Sequence, residues 1–99
     1  MFAGHTGVRL MNDYAAVWPL WWSDGGQVRE GELPLSADLV SALLAWAEGF
    51  EEHFHYQSGW DSREAEAKHA EAARQLVAAL TDELHGMLEV ETQLWELRG

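Results

Sequence analysis

Residues 33–56 read LPLSADLVSALLAWAEGFEEHFHY, and this stretch decides the fold because it contains the clearest periodic pattern in the chain. Its large apolar residues recur at steps of four, three, four and four, the spacing of one stripe on an α-helix. They are Leu39, Leu43, Trp46, Phe50 and Phe54. Ser36 is a favourable N-cap, and Asp38 suits the positive end of the helix dipole. The stretch therefore predicts a helix with one buried face.

A second helix is predicted to begin at Asp61, with Glu64 three residues later as in a capping box. It continues to His85 and stops at Gly86, a residue suited to the left-handed position after a helix. Its predicted inner face is small in the first half and bulky in the second: Ala65, His69, Ala72, Leu76, Leu80 and Leu84. Because the link between the helices is short, they should form an antiparallel hairpin.

Short strands are predicted near both ends of the chain. Residues 8–11 alternate weakly, and residues 87–97 alternate apolar with acidic or polar side chains. We expect the two strands to pair in antiparallel fashion, because two helices return the chain to its starting end. The predicted fold class is α+β, an antiparallel two-helix hairpin packed on a small sheet formed by the N- and C-terminal strands (β-loop-α-α-β).

Residues 12–34 are predicted to form a long ordered, Trp-rich loop with room for a small hairpin. Three of the six tryptophans, Trp18, Trp21 and Trp22, fall within five residues, and Pro19 among them forbids a continuous helix. One interpretation, called the roofing interpretation below, is that these rings pack over the hydrophobic core of a small domain. The other is that one or two are exposed as anchors for a partner, because tryptophan is enriched at binding hot spots.

The whole chain, residues 1–99, is expected to form one domain, with residues 1–7 as a loose end. A two-stranded sheet is marginal by itself, and its open edges need cover. Either the Trp-rich loop supplies a further strand or a second copy of the chain does. The second possibility predicts a homodimer.

The net charge of the chain indicates which kinds of partner it can bind. The chain has 17 acidic and 6 basic side chains, for a formal net charge of −11. Such a surface repels nucleic acid and anionic membranes, and it can steer a basic protein towards the chain. With no cysteine, no apolar run long enough for a membrane span and no export signal, the sequence predicts a cytoplasmic protein.

Catalytic and metal-binding motifs are weak. Two Glu-x-x-His pairs, Glu52–His55 and Glu66–His69, have chelating spacing but are predicted to point in different directions. His53 and His69 should face each other between the helices, where they either bind a metal such as zinc or simply share hydrogen bonds. The serines occupy turn or cap positions. The sequence thus predicts no catalytic residues and no cofactor, with His53 and His69 as the weak metal candidates.

The segments RLMNDY (residues 9–14), WPLW (18–21) and LPLSADL (33–39), followed by LLAWAEGFEEHF, resemble a group of small actinobacterial proteins of unknown function. The resemblance covers about residues 8–84 and implies a compact cytoplasmic domain with no assigned activity.

The residues themselves favour a non-enzymatic, acidic protein-interaction domain. Immunity proteins and nuclease inhibitors work in this way, with carboxylates that imitate phosphate and an aromatic anchor in the partner's cleft. The predicted partner is a basic protein. The predicted partner-binding residues are Trp18, Trp21, Trp22, Asp13, Asp24, Glu48, Glu51 and Glu52. The alternatives are an uncharacterised self-associating domain, and a small metal-binding domain or enzyme built on histidine and glutamate.

Overall fold

The computed structural model describes residues 4–14 and 16–97 and has the predicted α+β architecture. The elements are β1 (Gly7–Leu10), β2 (Leu20–Trp22), α1 (Ala37–His53), β3 (Phe54–His55), β4 (Gly59–Trp60), α2 (Arg63–Glu83) and β5 (Glu89–Thr92). The two helices form the antiparallel hairpin expected from the sequence, and a three-stranded sheet packs beside them.

Helix α1 begins where the sequence places it and ends slightly earlier than the apolar stripe suggests. The Ser36 hydroxyl accepts a hydrogen bond from the Leu39 amide at 3.2 Å, which confirms the N-cap. Phe54 then leaves the helix and pairs with Trp60 in the small β3–β4 hairpin. Gly59 has φ +80°, a conformation that makes this tight turn possible.

Helix α2 begins one residue later than predicted. Ser62, not Asp61, is the N-cap, and its hydroxyl accepts a hydrogen bond from the Ala65 amide at 3.0 Å. Asp61 is unavailable for that role because its carboxylate lies 2.8 Å from the His53 ring. At the other end, α2 stops at Glu83, two residues before the predicted end at His85, and Gly86 with φ +78° lies in the turn that follows.

The terminal strands pair in parallel, so the antiparallel pairing expected from the sequence is wrong. The sheet order is β2-β1-β5, with β2 antiparallel and β5 parallel to β1. The physical reason is the Trp-rich loop: β2 reverses the chain before α1 begins, and this adds one turn that the sequence argument left out. The loop thus supplies the third strand that the two-stranded sheet needed.

The core lies between the sheet and the helical hairpin. It combines buried residues of the sheet, the two helices and the segments that connect them: Val8, Leu10, Trp18, Leu20, Trp22, Val28, Leu33, Leu39, Leu43, Trp46, Ala73, Leu76, Leu80, Leu84 and Leu88. Within the predicted loose end, His5 stacks on Trp22 with 3.9 Å between ring centroids, while residues 1–3 lie outside the described residues. Across residues 4–14 and 16–97, the helices are too short or too polar to span a membrane.

Candidate functional site: an aromatic cleft over a buried polar cluster

Three polar side chains are buried together where α2 meets the C-terminal segment. Asn12, His69 and Glu96 are only 1%, 6% and 2% exposed. Glu96 Oε2 lies 2.6 Å from His69 Nε2 and accepts a hydrogen bond from the Asn12 amide at 3.0 Å. Since burying a carboxylate is costly unless it is paired, these bonds account for the burial of Glu96. The cluster joins three segments that are far apart in the sequence.

Tryptophan indoles surround this polar cluster and donate hydrogen bonds to the backbone carbonyls of its residues. Each of three indole N–H groups donates to the carbonyl of one cluster residue: Trp46 to His69 at 3.0 Å, Trp60 to Glu96 at 3.0 Å, and Trp95 to Asn12 at 2.8 Å. The His69 ring also stacks on Trp46, with 4.4 Å between centroids and an interplanar angle of 11°. A buried indole N–H needs a partner, so these bonds fix where each ring lies.

Two oxygens of the cluster remain without a hydrogen-bond partner among the residues that the structure describes. They are Oδ1 of Asn12 and Oε1 of Glu96. An unpaired buried acceptor is unfavourable by about 1–3 kcal/mol. The cluster therefore retains a capacity to accept hydrogen bonds at the carboxylate of Glu96.

Outside the cluster lies a cleft whose walls are mostly aromatic, here called the aromatic cleft. Its lining residues are Tyr14, Phe54, Tyr56, Gly59, Trp60, Glu66, Trp95 and Glu96. Its volume of about 370 Å³ is near the lower end of the range for ligand pockets, roughly 300–1,000 Å³. Five aromatic residues and two glutamates thus line one small concavity.

The rings of the aromatic cleft contact one another mainly edge to face, an arrangement that aromatic pairs prefer. Trp95 meets Tyr14 at 5.5 Å and Phe54 at 5.6 Å between centroids. Tyr56 lies 6.4 Å from Tyr14. Tyr14 is 49% exposed and Tyr56 75% exposed, so these two rings form the rim of the cleft. An exposed aromatic pair over a supported aromatic floor is typical of a binding surface.

The three tryptophans predicted as partner anchors are located elsewhere, beside the sheet. Trp18 and Trp22 are each 5% exposed and belong to the core, as the roofing interpretation expects. Trp21 is half-buried, and its indole donates to the Met11 carbonyl at 2.9 Å. The rings of Trp18 and Trp22 are therefore not available at the surface: strand β2 turns Trp22 into the core, and Trp18 is buried in the segment that precedes the strand. Trp21 stays a predicted anchor.

The five predicted steering carboxylates are all exposed: Asp13, Asp24, Glu48, Glu51 and Glu52. Asp13 accepts a hydrogen bond from the Tyr14 amide at 2.8 Å, so it lies next to the rim of the aromatic cleft. Asp24 lies 2.8 Å from the His5 ring, in the turn after β2. The remaining three lie in the last two turns of α1. Their role in partner binding stays a prediction.

The two histidines considered for a metal both line a pocket between the helices, but each bonds to a different carboxylate. His53 is exposed and lies 2.8 Å from Asp61, whereas His69 is buried against Glu96. The hydrogen bond to Asp61 raises the pKa of His53 above its ordinary value. Among residues 4–14 and 16–97, no group of three histidine or acidic side chains is arranged to hold a metal ion.

Sequence reasoning missed Glu96 and the aromatic cleft, although two signals pointed towards them. His69 was expected to face inward among alanines, and a buried imidazole needs a polar partner. Trp95 breaks the alternation of the predicted last strand, and β5 in fact ends at Thr92. Neither signal identifies the partner, because the carboxylate lies 27 residues from His69 in the sequence.

Comparison with known proteins gives one family. A family model described as Serratia CdiI immunity protein-like matches residues 6–93, which include both helices and the three-stranded sheet. No curated protein matches the chain. An immunity-type protein acts by binding a protein partner. The matched region includes six of the eight residues that line the aromatic cleft, whereas Trp95 and Glu96 lie beyond it. The chain belongs to the Serratia CdiI immunity protein-like family.

Proposed function

We propose that this protein is a non-enzymatic immunity protein that binds and neutralises a basic protein toxin. The observation that carries the proposal is the aromatic cleft: in a chain of an immunity protein-like family, two exposed tyrosines form the rim of a cleft lined by carboxylates. The family supports an interaction role with a protein partner. We infer that the partner is basic because this chain has a formal net charge of −11.

The disposition of polar groups supports binding in preference to catalysis. His69 and Glu96, an imidazole and a carboxylate that could exchange a proton, are buried and bonded to each other and to Asn12. By contrast, Glu48, Glu51 and Glu52 are exposed on α1. Exposed carboxylates accelerate the encounter with a basic partner, while exposed aromatic rings slow its dissociation.

Electrostatics predicts how such a complex forms. With a formal net charge of −11, the protein attracts a basic partner over several ångströms, and physiological salt screens this attraction beyond about 8 Å. The steering carboxylates are Asp13, Asp24, Glu48, Glu51 and Glu52. Raising the salt concentration should therefore slow association sharply and change dissociation little.

The test uses the full chain, immobilised and exposed to an extract of its native host. We expect it to capture a basic protein, whose growth-inhibiting activity is lost when the two proteins are co-expressed. Association and dissociation rates are then measured at low and high salt. Capture of no protein, or an association rate that does not respond to salt, contradicts the proposal.

Self-association stays a prediction of the sequence and is the second candidate. Strand β2 covers one edge of β1, but β5 has no strand on its outer edge within the described part of the chain. An unpaired edge can accept a strand of a second copy. Light scattering at high micromolar concentration tests this: a dimer mass supports self-association, and a monomer mass removes it.

A further inference from the structure

The aromatic cleft has a chemical composition that selects for a positive charge. It is lined by the rings of Tyr14, Phe54, Tyr56, Trp60 and Trp95, together with Glu66 and the buried residue Glu96. Among the described residues that line it, none is lysine, arginine or histidine. Ring faces carry negative electrostatic potential and attract cations, and carboxylates act in the same direction. All the side-chain groups of the cleft thus favour the same kind of ligand.

The buried carboxylate of Glu96 is a second, independent observation that points to a ligand. Its side chain has no exposed surface, and Oε1 has no hydrogen-bond partner within residues 4–14 and 16–97, although Oε2 has two. A charge in a wall that excludes water interacts more strongly with an opposite charge than it would in bulk solvent. A cation held between the rings would be stabilised by this unpaired acceptor.

We propose that the aromatic cleft receives one arginine side chain of the protein partner. This inference rests on the proposed function and adds to it the chemistry of the contact. Arginine suits the cleft better than lysine, because its planar guanidinium stacks on aromatic faces and offers several N–H donors to carboxylates. The rim residues Tyr14 and Tyr56 contact the side chain from outside, and Glu66 pairs with its charge.

The first test asks whether the cleft takes an isolated guanidinium group. The probe is arginine blocked at both ends, N-acetyl-arginine N-methylamide, added to the ¹⁵N-labelled full chain. The indole N–H signals of Trp60 and Trp95 report binding, and both are ordered by hydrogen bonds to Glu96 and Asn12. We expect saturable shifts of these two signals and not of the Trp18 signal, whose ring is in the core.

The matched control probe is the citrulline analogue, which has nearly the same shape but a neutral urea in place of the guanidinium. The inference predicts little or no shift with citrulline at equal concentration, and a weaker response to the lysine analogue. Equal shifts with arginine and citrulline would overturn it, because the cleft would then select for shape instead of charge. No shift of Trp60 or Trp95 with arginine would overturn it as well.

Two substitutions identify the responsible groups. Tyr56→Leu keeps apolar bulk but removes the ring face, and it should weaken arginine binding about three- to fivefold, whereas Tyr56→Phe should not. Glu66→Gln should weaken it by about two- to fivefold, and Glu30→Gln, which removes the same charge from an exposed loop, should have no effect. Equal effects of Glu66→Gln and Glu30→Gln would show that only net charge matters.

The results separate this inference from the proposed function. If the wild-type chain captures a basic protein but Tyr56→Leu binds that protein equally well, the protein is an immunity-type binder and the cleft is not its arginine site. If blocked arginine binds in the cleft but the chain captures no protein, the cation chemistry is correct and the proposed function is wrong.

Discussion

The protein has two regions rich in aromatic residues, and they differ in how far their rings are exposed to solvent. The segment of residues 18–22 is densest in tryptophan, yet Trp18 and Trp22 are buried under strand β1 and its neighbours. The aromatic cleft takes its rings from three distant parts of the chain, and the rings of Tyr14 and Tyr56 are exposed. The local density of aromatic residues in the sequence therefore does not show where rings are exposed. The exposed aromatic surface forms only where the fold brings distant residues together.

The polar contacts of the rings explain this difference. In the cleft, Trp60 and Trp95 donate to backbone carbonyls of Glu96 and Asn12, so their indole N–H groups face the buried cluster and part of each ring faces the cleft. In the core segment, the indole N–H of Trp18 has no hydrogen-bond partner within the described residues, and the ring makes apolar contacts in the core. The aromatic cleft therefore exposes part of its rings to solvent, whereas the segment of residues 18–22 buries Trp18 and Trp22.

The largest effect should come from the buried rings. Phe50 is 1% exposed beneath the cleft, and Trp22 is 5% exposed in the core. Replacing either with alanine should lower the free energy of unfolding by roughly 3–5 kcal/mol, the range for truncating a packed aromatic side chain. Tyr56→Ala should change it by less than about 0.5 kcal/mol, because that ring is largely in solvent. Urea denaturation measures all three, and a stable Phe50→Ala protein would show that the cleft has no packed floor.

An intermediate effect is expected from the buried polar cluster. Glu96→Ala should destabilise the protein by about 1–3 kcal/mol, because it leaves the donors of Asn12 and His69 unpaired in the interior. Glu91→Ala is the matched control, since Glu91 pairs with Arg9 at 2.8 Å but is exposed, and such pairs contribute at most about 1 kcal/mol. Equal losses of stability in the two variants would contradict the structural role given to Glu96.

The smallest effect concerns pH. Because the hydrogen bond to Asp61 raises the folded-state pKa of His53 above 6.5, protonated His53 favours the folded state. This contribution is fully present below pH 6.5 and is lost as the pH rises through the raised value. The difference in Tm between wild type and Asp61→Asn should therefore shrink as the pH is raised from about 5 to 9. A difference that grows with pH would contradict this sign.

Much of the fold follows from local patterns in the sequence. The stripe of α1, its Ser36 cap and the left-handed conformation of Gly86 were predictable because each depends on neighbouring residues only. The parallel pairing of β1 with β5 was not, since it depends on how the loop of residues 12–34 reverses the chain. The cleft was hidden for the same reason: Tyr14, Tyr56 and Trp95 come together only after the whole chain has folded.

The most direct measurement of the central claim is the rate at which the captured partner dissociates from two variants, Tyr56→Ala and Trp21→Ala, at one salt concentration. Tyr56 lies at the rim of the aromatic cleft, whereas Trp21 is the half-buried ring of the Trp-rich segment and the rival anchor that the sequence suggests. We predict that Tyr56→Ala accelerates dissociation by about 30-fold, the effect of losing a hot-spot aromatic side chain, and that Trp21→Ala changes it by less than about threefold. Faster dissociation from Trp21→Ala with an unchanged rate for Tyr56→Ala would contradict the claim and place the interface on the sheet.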